Sequence, residues 1–190
     1  MRKIIALDHI SLDGFAATPN GEIDWIKISD ELFDFVGTLT DKADGVIYGR
    51  VTWQMMDDYW PEAANRPNPT KHEKEHSEWY NNVDKLVVSA SMAGTQKEKT
   101  TFTANPLEDI QQIKNQPGSN ILLLGSPSIV RLLTENKLID EYMFFINPIL
   151  IGKGISVFPD AKTAPGLHLE NSRIFSHGVN LLHYTSKQTK

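Results

Sequence analysis

Short apolar runs rich in β-branched residues alternate with amphipathic segments along most of the chain. The apolar runs predict strands at 3–10, 46–48, 83–89, 121–124 and 139–146, and the threonine-rich stretch 100–103 is a further candidate strand. The amphipathic segments predict helices that begin near Ser29, Arg50, Thr70, Asn105 and Ser126. Strands that alternate with helices in this way are typical of an α/β fold with a mainly parallel sheet.

The last part of the chain follows a different pattern. Residues 168–175 and 179–185 are two strand-like runs separated by His177–Gly178, which predicts an antiparallel hairpin at one edge of the sheet. The proline-rich stretch 60–70 and the stretch 148–158 are predicted loops. The 190 residues contain no repeat and no convincing linker, so we expect one domain spanning residues 1–190.

Composition excludes several classes of protein. The formal net charge is −5 and no basic cluster exceeds two residues, which argues against a nucleic-acid partner. Cysteine is absent, so structural disulfides, cysteine-ligated metals and thiol nucleophiles are excluded. The first apolar run is cut at Asp8, too early for a signal peptide or a membrane span. We expect a cytoplasmic protein with no membrane contact, although a cysteine-free secreted protein stays open.

Three strand ends offer groups that bind anions. Gly49-Arg50 with Thr52, Ser89 with Ser91, and the turn 125–129 each follow a predicted strand. Ligands of open α/β sheets bind beyond the carboxyl ends of the strands, where helix N-termini attract phosphate. Three such turns point to an extended ligand with several anionic groups, such as a dinucleotide. The simpler interpretations are a turn glycine with a solvated arginine, routine serines after a strand, and a plainly capped helix.

Two acidic positions are open to two interpretations. Asp13-Gly14 is most simply a turn, or else part of a loop that closes over a reactive ring. Asp30 and Glu31 suit the first turn of a helix through its dipole, or one of them points into the cleft as a proton donor.

The stretch from His72 to His76 matches H-E-x-x-H, a helical zinc motif. Glu73 also completes a capping box with Thr70, the segment is polar throughout, and no third ligand is evident. We therefore expect no metal, and a zinc hydrolase is the least favoured alternative. Gly152-Lys153-Gly154 does not complete a phosphate loop, and the G-x-G-x-x-G fingerprint is absent, so a dinucleotide would need another binding scheme.

Short motifs in a fixed order point to such a scheme. They are SLDG at 11–14, GR-x-T at 49–52, K-x-V-x-S at 85–89, the glycine-led turn at 125, LIDEY at 138–142 and PILIGKG at 148–154. The series resembles the dihydrofolate reductase-like superfamily. Within it, the chain is most similar to the reductase domain of the bifunctional riboflavin-biosynthesis deaminase–reductase and its stand-alone bacterial relatives.

The resemblance covers residues 4–184 and implies a three-layer αβα sandwich with a mixed sheet and NADPH as cofactor. By the same resemblance four groups of residues would contact the cofactor. The cofactor phosphates would be held by Gly49, Arg50 and Thr52, the adenosine end by Ser89, the pyrophosphate by Gly125, Ser126, Pro127, Ser128 and Ile129, and the nicotinamide would lie beside Asp13, Gly14 and Phe15.

The chain also departs from the family pattern. Many members carry Gly-Gly where this chain has Gly125-Ser126. Ser91 stands where longer polar side chains grip the 2′-phosphate, so a preference for NADP depends mainly on Arg50. An alignment of Trp25 with a tryptophan of dihydrofolate reductases places Asp30 at their catalytic acid, an acid that riboflavin-type reductases do not share.

The resemblance implies an NADPH-dependent reductase that transfers hydride to a C=N or C=O carbon of a small pterin- or aminopyrimidine-like substrate, similar to 5-amino-6-(5-phosphoribosylamino)uracil reductase. Asp30 is the candidate acid, and the resemblance also implies a homodimer. The alternatives are a non-catalytic nucleotide-binding protein on the same scaffold, the zinc hydrolase, and an assembly protein that dimerises through its C-terminal hairpin.

Overall fold

The computed structural model describes residues 1–158 and 166–186 of the chain. Its ten strands are β1 (Ile4–Ser11), β2 (Phe15–Ala17), β3 (Ala43–Gly49), β4 (Asp84–Val88), β5 (Thr100–Thr103), β6 (Asn120–Leu124), β7 (Glu141–Asn147), β8 (Ile155–Ser156), β9 (Leu167–Ile174) and β10 (Asn180–Ser186). Its helices are α1 (Asp30–Thr40), α2 (Arg50–Asp57), α3 (Trp60–Ala63), α4 (Lys71–Asn82), α5 (Pro106–Asn115) and α6 (Pro127–Glu135), with a 3₁₀ turn at Ala90–Met92.

Two compact units make up the chain. The first contains Met1–Arg2 and Asp30–Leu122, and the second contains Lys3–Ser29 together with the described residues from Leu123 onward. The expectation of a single domain stays a prediction.

The first unit is built on parallel strands in the order β5-β4-β3-β6. Gly49 pairs with Val88, and Val88 in turn pairs with Thr103, so β3, β4 and β5 end at the same level. The middle of β3 is fully buried at Val46, Ile47 and Tyr48. A strand buried on both faces has this continuous apolar pattern, which is why the sequence signal at β3 is strong.

The second unit orders its strands β6-β1-β7-β10-β9, with Leu123 and Leu124 of β6 belonging to it. β1 and β7 are parallel, from Ile5 opposite Glu141 to Ser11 opposite Asn147. β10 runs antiparallel to both β7 and β9. The predicted fold class is therefore confirmed, with a mixed, mainly parallel sheet and a C-terminal antiparallel hairpin.

Both predicted loops contain short regular elements. The stretch 60–70 begins with the helical turn α3, where Pro61 occupies a first-turn position that needs no amide donor. The stretch 148–158 includes β8, which pairs with β2 in a separate two-stranded sheet. Elements of two to four residues are too short for hydrophobic periodicity to reveal.

Thr70, Asn105 and Ser126 occupy the N-cap positions of α4, α5 and α6, as the sequence predicts, but their side chains differ in whether they cap. Thr70 and Glu73 form the reciprocal capping box at the start of α4. The side chains of Asn105 and Ser126 make no capping hydrogen bond within the described part of the chain. The Thr103 hydroxyl holds the start of α5 in another way, since it accepts from the Asn105 amide at 2.8 Å and donates to the Asp109 carboxylate at 2.5 Å.

Helix length bears on a membrane location. Among the described residues, no helix combines the length and the apolar character that a bilayer crossing requires.

Replacing Thr70 with Ala removes one half of the α4 capping box. We expect Thr70→Ala to lower the free energy of unfolding by about 1 kcal/mol, because the Glu73 amide loses its acceptor. Urea titration monitored by circular dichroism measures the change. Thr38→Ala, in the exposed face of α1, is the matched control and should stay within about 0.5 kcal/mol of wild type. Equal losses in both variants would contradict the capping role.

Candidate functional site

The strand ends of the first unit bring two of the predicted anion-binding turns together. Since Gly49 is opposite Val88, the residues that follow, Arg50 and Ser89, leave neighbouring parallel strands side by side. The Ser89 amide donates to the Thr103 carbonyl at 2.9 Å, which adds the end of β5 to the same rim. The carboxyl edge of this unit therefore presents a guanidinium and hydroxyls, all hydrogen-bond donors.

Arg50 is exposed and begins α2 directly after the extended Gly49. Its guanidinium donates to the Gln54 side chain at 3.1 Å, one helical turn later. This partner is a neutral amide, and the planar guanidinium fork carries further donors that can bind a phosphate.

The two serines after β4 form a pair. The Ser89 side chain is buried and its hydroxyl lies 3.2 Å from that of the exposed Ser91. Hydroxyls paired in this way can turn their remaining lone pairs and protons toward a ligand.

The third predicted turn lies in the second unit, between β6 and α6. Gly125 and Ser126 both adopt the left-handed conformation, with φ of 55° and 61°. Glycine favours this region and serine does not, so the backbone here is strained in a way that clusters at functional sites. The turn leads into the first amides of α6, through Pro127, the exposed Ser128 and the buried Ile129, where a helix attracts anions.

Asp13 makes contacts within the second unit, and its place beside a nicotinamide stays a prediction. Its carboxylate accepts hydrogen bonds from Ser11 at 2.6 Å and from the amides of Ile151 and Gly152 at 3.2 and 2.7 Å. The Ser11 hydroxyl, more than the amides, lowers the pKa of Asp13. Asp13 thus joins the turn after β1 to the 151–152 loop, while Gly14 (φ 87°) makes the turn and Phe15 pairs with Ser156.

Asp8 is a buried acid that sequence reasoning did not assign to the site. It lies in β1, the residue is 8% exposed, and its Oδ2 has no hydrogen-bond partner among the described residues. Burial raises the pKa of Asp8 to about 7, against the opposing effect of a hydrogen bond from the His9 backbone. The signal in the sequence is the single acid inside a buried β-branched run, which marks the end of the apolar pattern.

The neighbouring His9 occupies the opposite face of β1. Its ring stacks on Phe145 with centroids 4.7 Å apart, and its Nδ1 lies 3.3 Å from the Asn147 amide nitrogen. Burial lowers the pKa of His9 to about 4, so this imidazole is neutral at pH 7. His9 therefore serves packing in the structure.

Asp30, the candidate acid from the sequence, begins α1 in the first unit with a side chain that is 94% exposed. Its carboxylate lies 3.6 Å from the His72 imidazole. This environment is the one expected of a first-turn acid that interacts with the helix dipole, and a catalytic role for Asp30 stays a prediction without support from burial.

The H-E-x-x-H residues are used for packing and capping. Both Glu73 oxygens accept hydrogen bonds, from the Tyr59 hydroxyl at 2.6 Å and from the Thr70 amide at 2.7 Å. His72 stacks on Phe33 and His76 lies against Trp60. In the described ranges, no group of three or more histidine, aspartate or glutamate side chains is placed to hold a metal ion. These contacts argue against the zinc hydrolase.

Comparison with known proteins places this geometry in a family. A family model described as the RibD C-terminal domain matches residues 2–181, so the chain belongs to the RibD C-terminal domain family. The resemblance to the reductase domain of riboflavin biosynthesis is thereby confirmed.

Two curated proteins from Bacillus subtilis (strain 168) are similar over nearly their whole length. YyaP is 32% identical over 178 residues, which are 94% of this chain and 92% of YyaP. YwjB is 27% identical over 185 residues, which are 96% of this chain and 97% of YwjB. Both are described as uncharacterized.

Solved structures show the same fold at low identity. A pyrimidine reductase-like protein from Corynebacterium diphtheriae superimposes with a TM-score of 0.70 at 16% identity, covering 98% of this chain and 92% of that one. A second structure is the diaminohydroxyphosphoribosylaminopyrimidine deaminase/5-amino-6-(5-phosphoribosylamino)uracil reductase of Thermotoga maritima. It superimposes with a TM-score of 0.68 at 16% identity, and the match covers 97% of this chain and 56% of the Thermotoga chain.

Asp8→Asn should change how stability depends on pH. The folded protein holds a proton on Asp8 that the unfolded chain, with the ordinary aspartate pKa of 3.8, releases. Wild type therefore loses stability as pH rises from about 4 to about 7, and the neutral amide removes this loss. Between pH 5 and pH 8 we expect the variant to gain roughly 2–3 kcal/mol relative to wild type, measured by urea unfolding at each pH.

The exposed Asp24→Asn in the same unit is the control and should follow wild type at both pH values. A constant difference between Asp8→Asn and wild type from pH 5 to pH 8 would show that Asp8 is ionised in the folded protein.

Proposed function

We propose that the protein is an NADPH-dependent reductase that transfers hydride to a C=N or C=O carbon of a small pterin- or aminopyrimidine-like substrate. One observation carries the proposal. In a chain of the RibD C-terminal domain family, Arg50 and Ser89 leave adjacent parallel strands in register and present anion-binding groups at the carboxyl edge.

The residues present fit a phosphorylated dinucleotide. In the first unit, Arg50 would hold the 2′-phosphate, with Ser89 and Ser91 at the adenosine end and Gly49 and Thr52 in the same turn. The planar guanidinium matches a dianionic phosphate better than it matches a ribose hydroxyl. This difference is the physical basis for NADPH over NADH.

In the second unit, the left-handed turn at Gly125–Ser126 would hold the pyrophosphate. Its backbone leads directly into the N-terminus of α6, whose amides and dipole favour negative charge. The reduced nicotinamide, when bound, supplies hydride, and the protein supplies orientation and a dry environment.

The deaminase/reductase of Thermotoga maritima suggests which substrates to test first. Its reductase activity is on 5-amino-6-(5-phosphoribosylamino)uracil, a phosphorylated aminopyrimidine. A substrate of this class carries its own anion and an amino-substituted ring. We therefore place aminopyrimidines ahead of unphosphorylated pterins among the candidates.

We also propose that the protein acts as a cytoplasmic homodimer. All eight residues of the edge strand β9 are exposed, among them Leu167, Leu169 and Ile174. An exposed edge strand with apolar side chains is suited to pairing with a second copy. The absence of cysteine is compatible with a reducing compartment.

Arg50→Ala tests the cofactor assignment. Loss of a charged hydrogen bond to the 2′-phosphate should weaken NADPH binding by about 10- to 100-fold while NADH binding changes little. Fluorescence titration with each cofactor measures both affinities. Arg66→Ala is the matched control, because the Arg66 guanidinium lies over the Tyr59 ring in the same unit. If Arg50→Ala binds NADPH as tightly as wild type, the assignment of Arg50 is wrong.

Turnover is tested by NADPH oxidation, followed at 340 nm with a panel of aminopyrimidines and dihydropterins. We expect at least one aminopyrimidine to be reduced, with one NADPH consumed per product formed. Saturable NADPH binding without oxidation by any member of the panel would favour the non-catalytic nucleotide-binding protein.

A further inference from the structure

The carboxyl group of Asp8 is an unusual feature of the second unit. It is placed in the central strand β1, its Oδ2 is buried, and no described residue satisfies that oxygen. A buried oxygen without a partner costs free energy, and the hydrogen bond from the His9 backbone offsets only part of the cost of burying this carboxyl group, since its pKa stays raised. An orphaned buried polar atom of this kind calls for an explanation in function or in a bound group.

The parallel register shows which face Asp8 occupies. Residues paired in register point to the same side of a sheet, and alternate residues of a strand share a face. Asp8 pairs with Phe144, and Ala6 pairs with Tyr142 two residues earlier. The Tyr142 hydroxyl lies 3.0 Å from that of Thr134 in α6. Asp8 therefore points to the face on which α6 packs.

A backbone contact shows at which end of α6 this occurs. The Gly125 amide donates to the Leu7 carbonyl at 2.9 Å, so Asp8 follows immediately after the level of the left-handed turn that begins α6. The carboxyl group and the first amides of α6 thus belong to the same end of the same face. A ligand that binds these amides would lie at the end of the sheet face that carries Asp8.

Aromatic side chains lie beside the acid on this face. Phe144, its partner in register, is half-buried, and the ring of Phe158 packs edge-on against it with centroids 6.1 Å apart. Phe158 is itself 38% exposed. A flat heterocycle could pack against these rings with a polar atom directed toward the carboxyl group.

We propose that Asp8 is the proton donor of the reductase, a role that rests on the proposed function. A group that ionises near neutral pH, held in an apolar strand, is suited to give up a proton in the transition state. The proposed acid is therefore the buried Asp8 of β1 in place of the exposed Asp30 of α1.

With an imine substrate, the reduced nicotinamide, when bound, would supply the hydride for the new C–H bond and would become oxidised. The C=N π electrons would move to nitrogen, and that nitrogen would take the proton from the Asp8 carboxyl, which becomes a carboxylate. Solvent would return a proton to Asp8 before the next turnover.

Asp8→Asn, with Asp24→Asn as the control, tests the assignment with NADPH and 5-amino-6-(5-phosphoribosylamino)uracil as probes. We expect Asp8→Asn to lower kcat by about 10²- to 10⁴-fold, with KM and NADPH affinity within about threefold of wild type. The kcat of wild type and of Asp24→Asn should fall as pH rises through about 7, since the carboxylate has no proton to donate.

A second readout does not depend on turnover. Carbon NMR of protein labelled at the aspartate carboxyls should show one resonance titrating near pH 7 that is absent from Asp8→Asn. The wild-type titration is informative even if the variant fails to fold. The spectrum of wild type alone shows whether one aspartate carboxyl has a pKa near 7.

The outcomes separate this proposal from the one on which it rests. If wild type oxidises NADPH in the presence of none of the substrates tested, the proposed reductase function is wrong, and the assignment of Asp8 as proton donor is wrong with it. If wild type turns over and Asp8→Asn keeps its kcat and pH profile, Asp8 is not the donor and the reductase stands. A wild-type spectrum in which every aspartate titrates below pH 5 also overturns the proposal.

Discussion

The in-register pairing of parallel strands is the constraint on which the candidate site depends. In the first unit it makes β3, β4 and β5 end at one level, so that Arg50 and Ser89 emerge together although 39 positions of sequence separate them. In the second unit it fixes Asp8 opposite Phe144 and thereby decides which face the acid occupies. A slip of one residue would turn each of these side chains to the other face. The buried side chains of β1 and β3 favour that register, because a slip would break the close packing that they make on each face.

Two acids of the chain show how environment divides structural from chemical roles. Asp13 is exposed, receives three hydrogen bonds and has a lowered pKa, so it stays ionised and holds two loops together. Asp8 is buried, one of its oxygens has no partner in the described chain, and its pKa is raised. An acid that costs stability is retained where its proton is useful, and pairs of carboxyls with pKa values moved apart are the pattern from which acid roles are assigned.

Much of the fold could be predicted from the sequence, because long buried strands and capped helices carry strong local signals. β3 and the capping box at Thr70 are examples, and both arise from contacts within a few residues. The missed elements α3, β2 and β8 are too short for periodicity. Asn105 and Ser126 stand at the predicted starts of α5 and α6, but neither side chain makes a capping hydrogen bond within the described residues. Thr103 reaches the start of α5 from the preceding strand, and Ser126 takes a left-handed conformation that a local pattern does not specify.

Some residues of the candidate site could likewise be predicted from local sequence, and others could not. Glycine, arginine and serine at strand ends can be recognised in sequence because the chemistry of anion binding limits the residue types. An acid whose role depends on burial cannot be recognised in the sequence, because burial depends on which strands become its neighbours. Asp30 is a candidate acid from its place at a helix start and from the alignment of Trp25, and its side chain in the structure is 94% exposed. In the sequence, Asp8 interrupts an apolar run. In the structure, β7 and α6 lie beside Asp8, and its carboxyl group is held in apolar surroundings. The residue that breaks the pattern of a buried strand is therefore the one whose presence packing alone does not explain.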